Sequence, residues 1–346
     1  MAGIIGYGVY IPLYRIKSEE IANTWGRDVN SVKNGLLINE KSLPHWDEDT
    51  VTISIEASLN AIKRAGINPK EIGAVYSGSE CPAYAVKPNI SMVSNAVGIG
   101  PNYTGADVEF ACKAGTAALQ MVLGLVKSNI IKYGLAIGAD IAEIGLENVG
   151  DQSTGSGSAA FIVGNNSNEI IAEIQETLSY TTDTPDFWRR PQVRYPTHAE
   201  RFTGEPAYFK HTVTATKMLL DKVGLKPSGV DHVAFHTPNG KFPLRAAKLI
   251  GFTNEQLKHS FVVDKIGNTY SAASLIGLAS ILDNSKPGES IVVTSFGSGA
   301  GSDAFYLTVT DRIDEKRNLA KTTKDYLERK KYVDYTTYLK FTNRVE

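Results

Sequence analysis

The feature that most limits what this chain can fold into is a repeat of its own first half. Ala65-Gly66-Ile67-Asn68-Pro69 leads into the apolar run Ile72-Gly73-Ala74-Val75-Tyr76. Val223-Gly224-Leu225-Lys226-Pro227 leads into Val230-Asp231-His232-Val233-Ala234-Phe235, with Gly224 lying 158 residues after Gly66. Gly155-Ser156-Gly157-Ser158-Ala159-Ala160-Phe161-Ile162-Val163 matches Gly299 through Leu307, 144 residues on. Between these, the segment after Cys112 matches Asn268-Thr269-Tyr270-Ser271-Ala272-Ala273-Ser274-Leu275. Setting Leu119 against Leu275 places Cys112 opposite Asn268, 156 residues apart. Three matches in one order describe a duplication at domain scale, not a short-period solenoid. Two similar halves packed together bring equivalent strand ends to one crevice.

The 346 residues suffice for two domain-sized units. The boundary is expected near residue 170, giving halves 1–170 and 171–346. Strand and helix patterns alternate within each, so the class is α/β. In the first half the pattern predicts a strand over 3–11, a short helix from Ser18 to Trp25 and an amphipathic helix from Asp49 to Ala65. A strand at 72–76, a helix over about 88–98, a strand into Cys112, a helix after it and a strand near 134–139 follow. The glycine-rich segment 155–163 closes the half. Two stretches escape the repeat. Residues about 178–207 are rich in arginine, proline and aromatics, and a long aperiodic loop inside a compact domain is more often functional than not. The tail from about Arg312 carries Tyr326, Tyr332, Tyr335 and Tyr338. It reads either as a solvated helix and a strand covering a sheet edge, or as a partner surface.

Cys112 ends Val108-Glu109-Phe110-Ala111-Cys112 and is followed by small residues and a helical pattern. A helix N-terminus favours a thiolate and offers N–H groups to an oxyanion. The alternative is a buried structural thiol. His236 follows an apolar strand at the position equivalent to Gly78, and Glu80 lies two residues past that point. Cys112, His236, Asn268 and Glu80 thus collect around one expected crevice. Glu80 alone reads equally as a turn residue or as a base with a shifted pKa. Lys241 and Arg245 share a helix face beside the histidine and suit a phosphate-bearing ligand or a solvated face; Arg201 in the insertion joins them. Glycines 297, 299 and 301 run into a strand rather than a helix, which argues against a dinucleotide loop and for a tight turn, with the Ser298 N–H as an oxyanion donor. Cys81 suggests no chemistry. His45, His198, His211, His232 and His259 lack metal-ligand spacing, so no metal is expected.

These strings are similar to the condensing branch of the thiolase superfamily, and within it to the hydroxymethylglutaryl-CoA synthase family in its short archaeal form. The resemblance is carried by Gly78-Ser79-Glu80, Ala85-Val86-Lys87-Pro88, Glu109-Phe110-Ala111-Cys112-Lys113-Ala114-Gly115-Thr116, His236-Thr237-Pro238-Asn239-Gly240-Lys241 and Gly297-Ser298-Gly299. It covers essentially the whole chain. The chain lacks the extra C-terminal segments of the longer eukaryotic and many bacterial members. The resemblance implies a thiolase-like fold of two βαβαβαββ-type halves in a five-layered αβαβα core. It implies Cys112 as the residue acetylated by acetyl-CoA, Glu80 as the base that forms the enolate, and His236 as the acid toward acetoacetyl-CoA. Asn268 and N–H groups near Cys112 and Ser298 would hold oxyanions, and Lys241, Arg245 and Arg201 would meet CoA phosphates or substrate. Ser153, Thr203, Asp28 and Val29 resemble further pocket residues. CoA thioesters are substrates and no separate cofactor is implied. A homodimer is implied, in complex with an acetoacetyl-CoA thiolase and a DUF35 (OB-fold) bridging protein, within the mevalonate route to isoprenoids.

Cysteine, histidine and asparagine by themselves equally fit a type III ketoacyl carrier-protein synthase. Glu80 and the Ala-Val-Lys-Pro run separate the two, because decarboxylative condensation needs no carboxylate for proton removal. A non-catalytic thiolase-like scaffold is the third reading. The net charge of −1 gives no sign of nucleic acid or an anionic membrane as partner. No apolar run approaches the ~20 residues of a bilayer span. The first residues read as a strand rather than a signal peptide, and two cysteines make no disulfide framework, which suits a reducing cytoplasm.

Overall fold

The computed structural model describes residues 1–146 and 148–345. The first half opens with β1 (Gly3–Tyr10), followed by an excursion of β2 (Tyr14–Lys17), α1 (Ser18–Thr24), α2 (Val29–Leu36) and β3 (Glu40–Leu43). Then come α3 (Thr50–Ala65), β4 (Ile72–Gly78), α4 (Asn89–Ala96), β5 (Thr104–Val108), α5 (Ala114–Lys127), β6 (Tyr133–Ile141) and β7 (Ser156–Gly164). The second half runs β8 (Ala172–Thr181), a hairpin β9 (Phe187–Trp188) and β10 (Thr197–His198), α6 (Phe209–Val223), β11 (His232–Phe235) and α7 (Lys241–Ile250). It continues with α8 (Asn254–Leu257), α9 (Val263–Ile266), α10 (Ala273–Leu282), β12 (Ser290–Thr294) and β13 (Gly301–Val309). The tail holds α11 (Ile313–Lys316), α12 (Thr323–Glu328), β14 (Lys331–Tyr332) and α13 (Tyr335–Phe341).

Nine strands form one sheet in the order β11-β12-β13-β8-β1-β7-β6-β4-β5. Its centre is the short antiparallel pairing of β1 with β8, Gly3 against Glu173 and Ile4 against Ala172. The order reads outward alike from that seam, β1-β7-β6-β4 on one side and β8-β13-β12-β11 on the other, which is the duplication in three dimensions. The repeat is incomplete, a departure from two equal halves. Where β5 stands in the first half, the second has α8 and α9. The stretch begins with a Thr253 capping box closed by Gln256, which commits it to a helical turn.

The period-2 alternation of each strand sorts the core into layers. Ala159, Phe161 and Val163 of β7, Ile291 and Val293 of β12, and Phe305, Leu307 and Val309 of β13 pack with α5 and α10 between the halves. Ala160 and Ile162 turn outward to α3 and α4, while Val233, Phe235 and Val292 face α6 and α7. Helix, first half of the sheet, helix pair, second half of the sheet and helix make the five-layered arrangement expected. Each large apolar side chain buried this way contributes roughly 1.5–3 kcal/mol. The central helix pair lies in the apolar core that the two halves share. The equivalent outer helices end alike: Gly66 and Gly224 both stand at φ 70°, a left-handed C-cap that favours glycine. Pro69 and Pro227 then each open a 3₁₀ turn before the next strand. Lys17 holds the N-cap position of α1, and the Ser18 hydroxyl at the first helical position donates to the Ile38 carbonyl.

Candidate active site

Cys112 lies in a 3₁₀ turn, Ala111–Lys113, that runs directly into α5. Ala111 takes φ 45°, a left-handed value uncommon for a residue with a side chain. The second half repeats this turn at Tyr270–Ala272 before α10, with Tyr270 at φ 48°. Backbone thus aligns Ala111 with Tyr270 and Cys112 with Ser271. The expected pairing of Cys112 with Asn268 is off by three residues, because matching Leu119 to Leu275 compared apolar helix positions rather than the turn. Asn268 stands one turn upstream, in the loop before α10.

A cavity of about 260 Å³ opens between the halves. Cys112, His236, Asn268, Ser153, Thr203 and Ser298 all line it, with Phe187, Tyr270 and Phe296 as apolar walls. Glu80 is not on the lining, but its carboxyl lies close enough to Cys112 for carboxyl and thiol to act on each other's protons. One of its carboxyl oxygens is buried without a partner. Burial first, and then the Asp140 carboxylate, push Glu80 up to about 8. Burial and the Glu80 carboxyl likewise push the Cys112 thiol up. Both groups of the pair therefore hold their protons at neutral pH. His236 is buried, its Nδ1 has no partner, and burial lowers it to about 3, so its ring is neutral. Its backbone is fixed at both ends, N–H donating to Thr294 O at 3.0 Å and C=O accepting from Tyr208 OH at 2.8 Å.

Asn268 is held by its backbone to the opposite half: its N–H donates to Ser153 O (2.6 Å), and its C=O accepts from Gly155 N–H (2.7 Å). Its Oδ1 accepts from Tyr270 N–H at 2.9 Å, which fixes the orientation of the side-chain amide. Ser153 donates to Gly150 O (2.9 Å) and Thr203 to Asp186 O (3.2 Å), so both hydroxyls brace loops.

The remaining candidates lie off the cavity lining. Asp28 caps α2, accepting from Ser31 N–H at 2.7 Å, and Val29 begins that helix. The segment reaches the cavity through Leu36 instead. Lys241 and Arg201 are exposed. Arg245 is exposed too, paired with Glu205 at 2.5 Å over the Phe209 ring.

Asp140, at the end of β6, escaped the sequence reading. Its Oδ1 accepts from Ser79 Oγ, Glu80 N–H and Cys81 N–H, each at 2.8 Å, and its Oδ2 from Ser271 N–H at 2.9 Å. One buried carboxylate thus joins the Glu80 turn to the second half. The signal available was an acid closing an otherwise apolar strand. Arg189, in the insertion, donates to the Glu80 carbonyl at 3.1 Å. Phe187 beside it meets Tyr270 edge-on, ring centroids 6.4 Å apart. The aperiodic stretch is a strap across the cavity. Among the described residues, no group of three His, Cys, Asp or Glu could hold a metal ion, and no helix is long and apolar enough to cross a membrane.

Residues 220–309 match the family model for the C-terminal part of 3-oxoacyl-[acyl-carrier-protein] synthase III. A structure of MvaS in complex with 3-hydroxy-3-methylglutaryl coenzyme A superposes with a TM-score of 0.90 at 22% identity, covering 99% of this chain and 91% of that one. FabH of Pseudomonas aeruginosa superposes at 0.81 with 17% identity over 89% of this chain and 98% of its own. The fold is therefore that of the thiolase-like condensing enzymes. Over its full length the chain is 55% identical to the hydroxymethylglutaryl-CoA synthase of Methanocaldococcus jannaschii, all of which is covered. It is 54% identical to that of Thermoplasma volcanium, of which 98% is covered. The chain belongs to the hydroxymethylglutaryl-CoA synthase family.

Proposed function

We propose that the chain condenses acetyl-CoA with acetoacetyl-CoA and water to (3S)-3-hydroxy-3-methylglutaryl-CoA and CoA through an acetylated Cys112. The observation that carries this reading is the Glu80 carboxyl, one oxygen buried without a partner, set beside the Cys112 thiol. A decarboxylating synthase has no use for a base at that place.

Cys112 Sγ would attack the acetyl carbonyl while the neutral His236 ring takes the thiol proton and passes it to the departing CoA sulfur. N–H groups at the start of α5 and at Ser298 would face the oxyanion. Glu80, raised to about 8, is a strong enough base to take a methyl proton from the acetyl thioester and is returned to its acid form. The enolate carbon then bonds to the ketone carbon of acetoacetyl-CoA. As the alkoxide develops beside it the pKa of His236 rises, so the ring binds a proton from solvent and hands it to the alkoxide. Asn268 would hold the thioester oxygen. Water finally adds to the Cys112 thioester, freeing the product carboxylate and the thiol.

Lys241, Arg245 and Arg201 stand exposed and would take the CoA phosphates. The Arg245–Glu205 pair is open to solvent and holds weakly, so a phosphate can displace it. Ser153 and Thr203 would shape the pocket, and Asp28 and Val29 its outer rim. The family resemblance supports a cytoplasmic homodimer acting in the mevalonate route. It also supports association with an acetoacetyl-CoA thiolase and a DUF35-type bridging protein.

Intact mass after incubation with acetyl-CoA tests the reading. An adduct of ~42 Da is expected on the native protein and on Glu80→Gln, and none on Cys112→Ser. Glu80→Gln should then fail to consume acetoacetyl-CoA. A Glu80→Gln protein that condensed at the native rate would sink the enolate step.

A further inference from the structure

Behind one wall of the cavity lies a buried charged cluster that the chemistry above does not use. Asp151 belongs to the turn Val149–Gln152 and is 1% exposed. Its Oδ1 accepts from Tyr338 OH, from Arg344 Nη1 at 3.0 Å and from Lys41 Nζ at 3.3 Å. Lys41 also donates to Thr154 Oγ1 (3.2 Å) and Tyr338 OH (3.0 Å). The Lys41 and Arg344 side chains are 3% and 1% exposed. Two cations and a carboxylate taken out of water are a costly way to hold a surface segment, and an apolar contact would do so as well. What the cluster adds is direction: every donor converges on the loop that ends in Ser153 and Thr154.

That loop carries Asn268. Ser153 O and Gly155 N–H take both backbone bonds of Asn268, and Thr154 bridges to it. The same tail braces the opposite wall. Arg194, in the strap, donates to Thr342 O (3.0 Å) and Asn343 O (2.9 Å) and lies 3.6 Å from Glu143, whose carbonyl accepts from Tyr270 OH.

We propose that the segment from Tyr335 to Arg344 is a latch on the active site, with Tyr338 and Arg344 as positioning residues that set Asn268 through Asp151. This rests on the oxyanion role given to Asn268 above. The test compares Arg344→Met and Tyr338→Phe, each alone and combined with Asn268→Ala, by condensation kcat and KM and by thermal melting. Arg344→Met should lower kcat about tenfold or more while substrate KM holds, since a small misplacement of a polar group is felt mainly in the transition state. Combined with Asn268→Ala, it should cost nothing further, because the group it positions is gone. Arg344→Lys should recover part of the rate. Should Arg344→Met fail to fold, Tyr338→Phe, which removes only a hydroxyl, carries the same comparison. Losses that multiply in the double variants, or single variants that run at the native rate, overturn the latch. Asn268→Ala running at the native rate would instead overturn the oxyanion reading, and the latch built on it.

Discussion

The two helix-entry turns, Ala111–Lys113 and Tyr270–Ala272, have nearly one backbone and opposite fates. Each begins with a side-chain-bearing residue at left-handed φ and delivers a small polar side chain to the start of a central helix. In the first half that side chain is Cys112, lining the cavity beside the Glu80 carboxyl. In the second it is Ser271, whose N–H donates to Asp140 and whose hydroxyl donates to Gly78 O at 2.9 Å. Duplication supplied the same turn twice. One copy leaves its side chain on the cavity, and the other is tied down as a fastening between the halves.

The largest effect that would break this contrast comes from moving the thiol. Cys112→Ser with Ser271→Cys should show no acetyl adduct, because residue 271 does not line the cavity. Labelling at 271 would mean the copies remain interchangeable. Ser271→Ala alone should keep acetylation and lower stability by roughly 1 kcal/mol, the usual worth of one hydrogen bond, as measured by denaturant unfolding.

A steric change comes next. A Cβ on Gly115 would stand 2.6 Å from Ser271 O, so Gly115→Ala must push the two turns apart. A loss of about 1–3 kcal/mol is expected from overpacking at this seam. An unchanged melting temperature would show that the halves are less tightly apposed than the structure has them.

The last effect is in pH. Glu80 is raised from 4.5 to about 8, so the folded chain binds a proton there that the unfolded chain releases from about 4.5 upward. Its contribution to stability is therefore full below 4.5 and lost as pH rises toward 8. His236 is lowered from 6.5 to about 3, and its contribution is present above 6.5 and lost as pH falls toward 3. Condensation should rise with pH through about 8 as Glu80 ionises, while melting temperature falls over the same window relative to Glu80→Gln. A rate that is flat from pH 6 to 9 would show that Glu80 titrates elsewhere.

Much of this was legible in the chain. The punctuation Gly66-Ile67-Asn68-Pro69 and Gly224-Leu225-Lys226-Pro227 is a local signal, read by local backbone chemistry, and the two C-caps agree in φ. Cys112, His236 and Asn268 reached one cavity as strand-end logic required. The register at the cysteine was misread by three residues because leucines on two buried helices match at several offsets, whereas the left-handed turn that fixes the alignment has no glycine to mark it. Asp140 and Arg189 stayed hidden because their roles are made by contacts to residues 59 and more positions away.

By itself, then, the sequence determined that two α/β halves exist, where their strands end and which chemically able residues lie at those ends. These follow from periodicity and from glycine and proline, which act over a few residues. The tertiary structure decided which turn would face the cavity, that the Glu80 carboxyl and the Cys112 thiol sit side by side out of water, and that the tail closes on Asp151 rather than lying in solvent. Those depend on burial and on hydrogen bonds between distant segments, and no local pattern encodes the dielectric in which a carboxyl or a thiol must hold its proton.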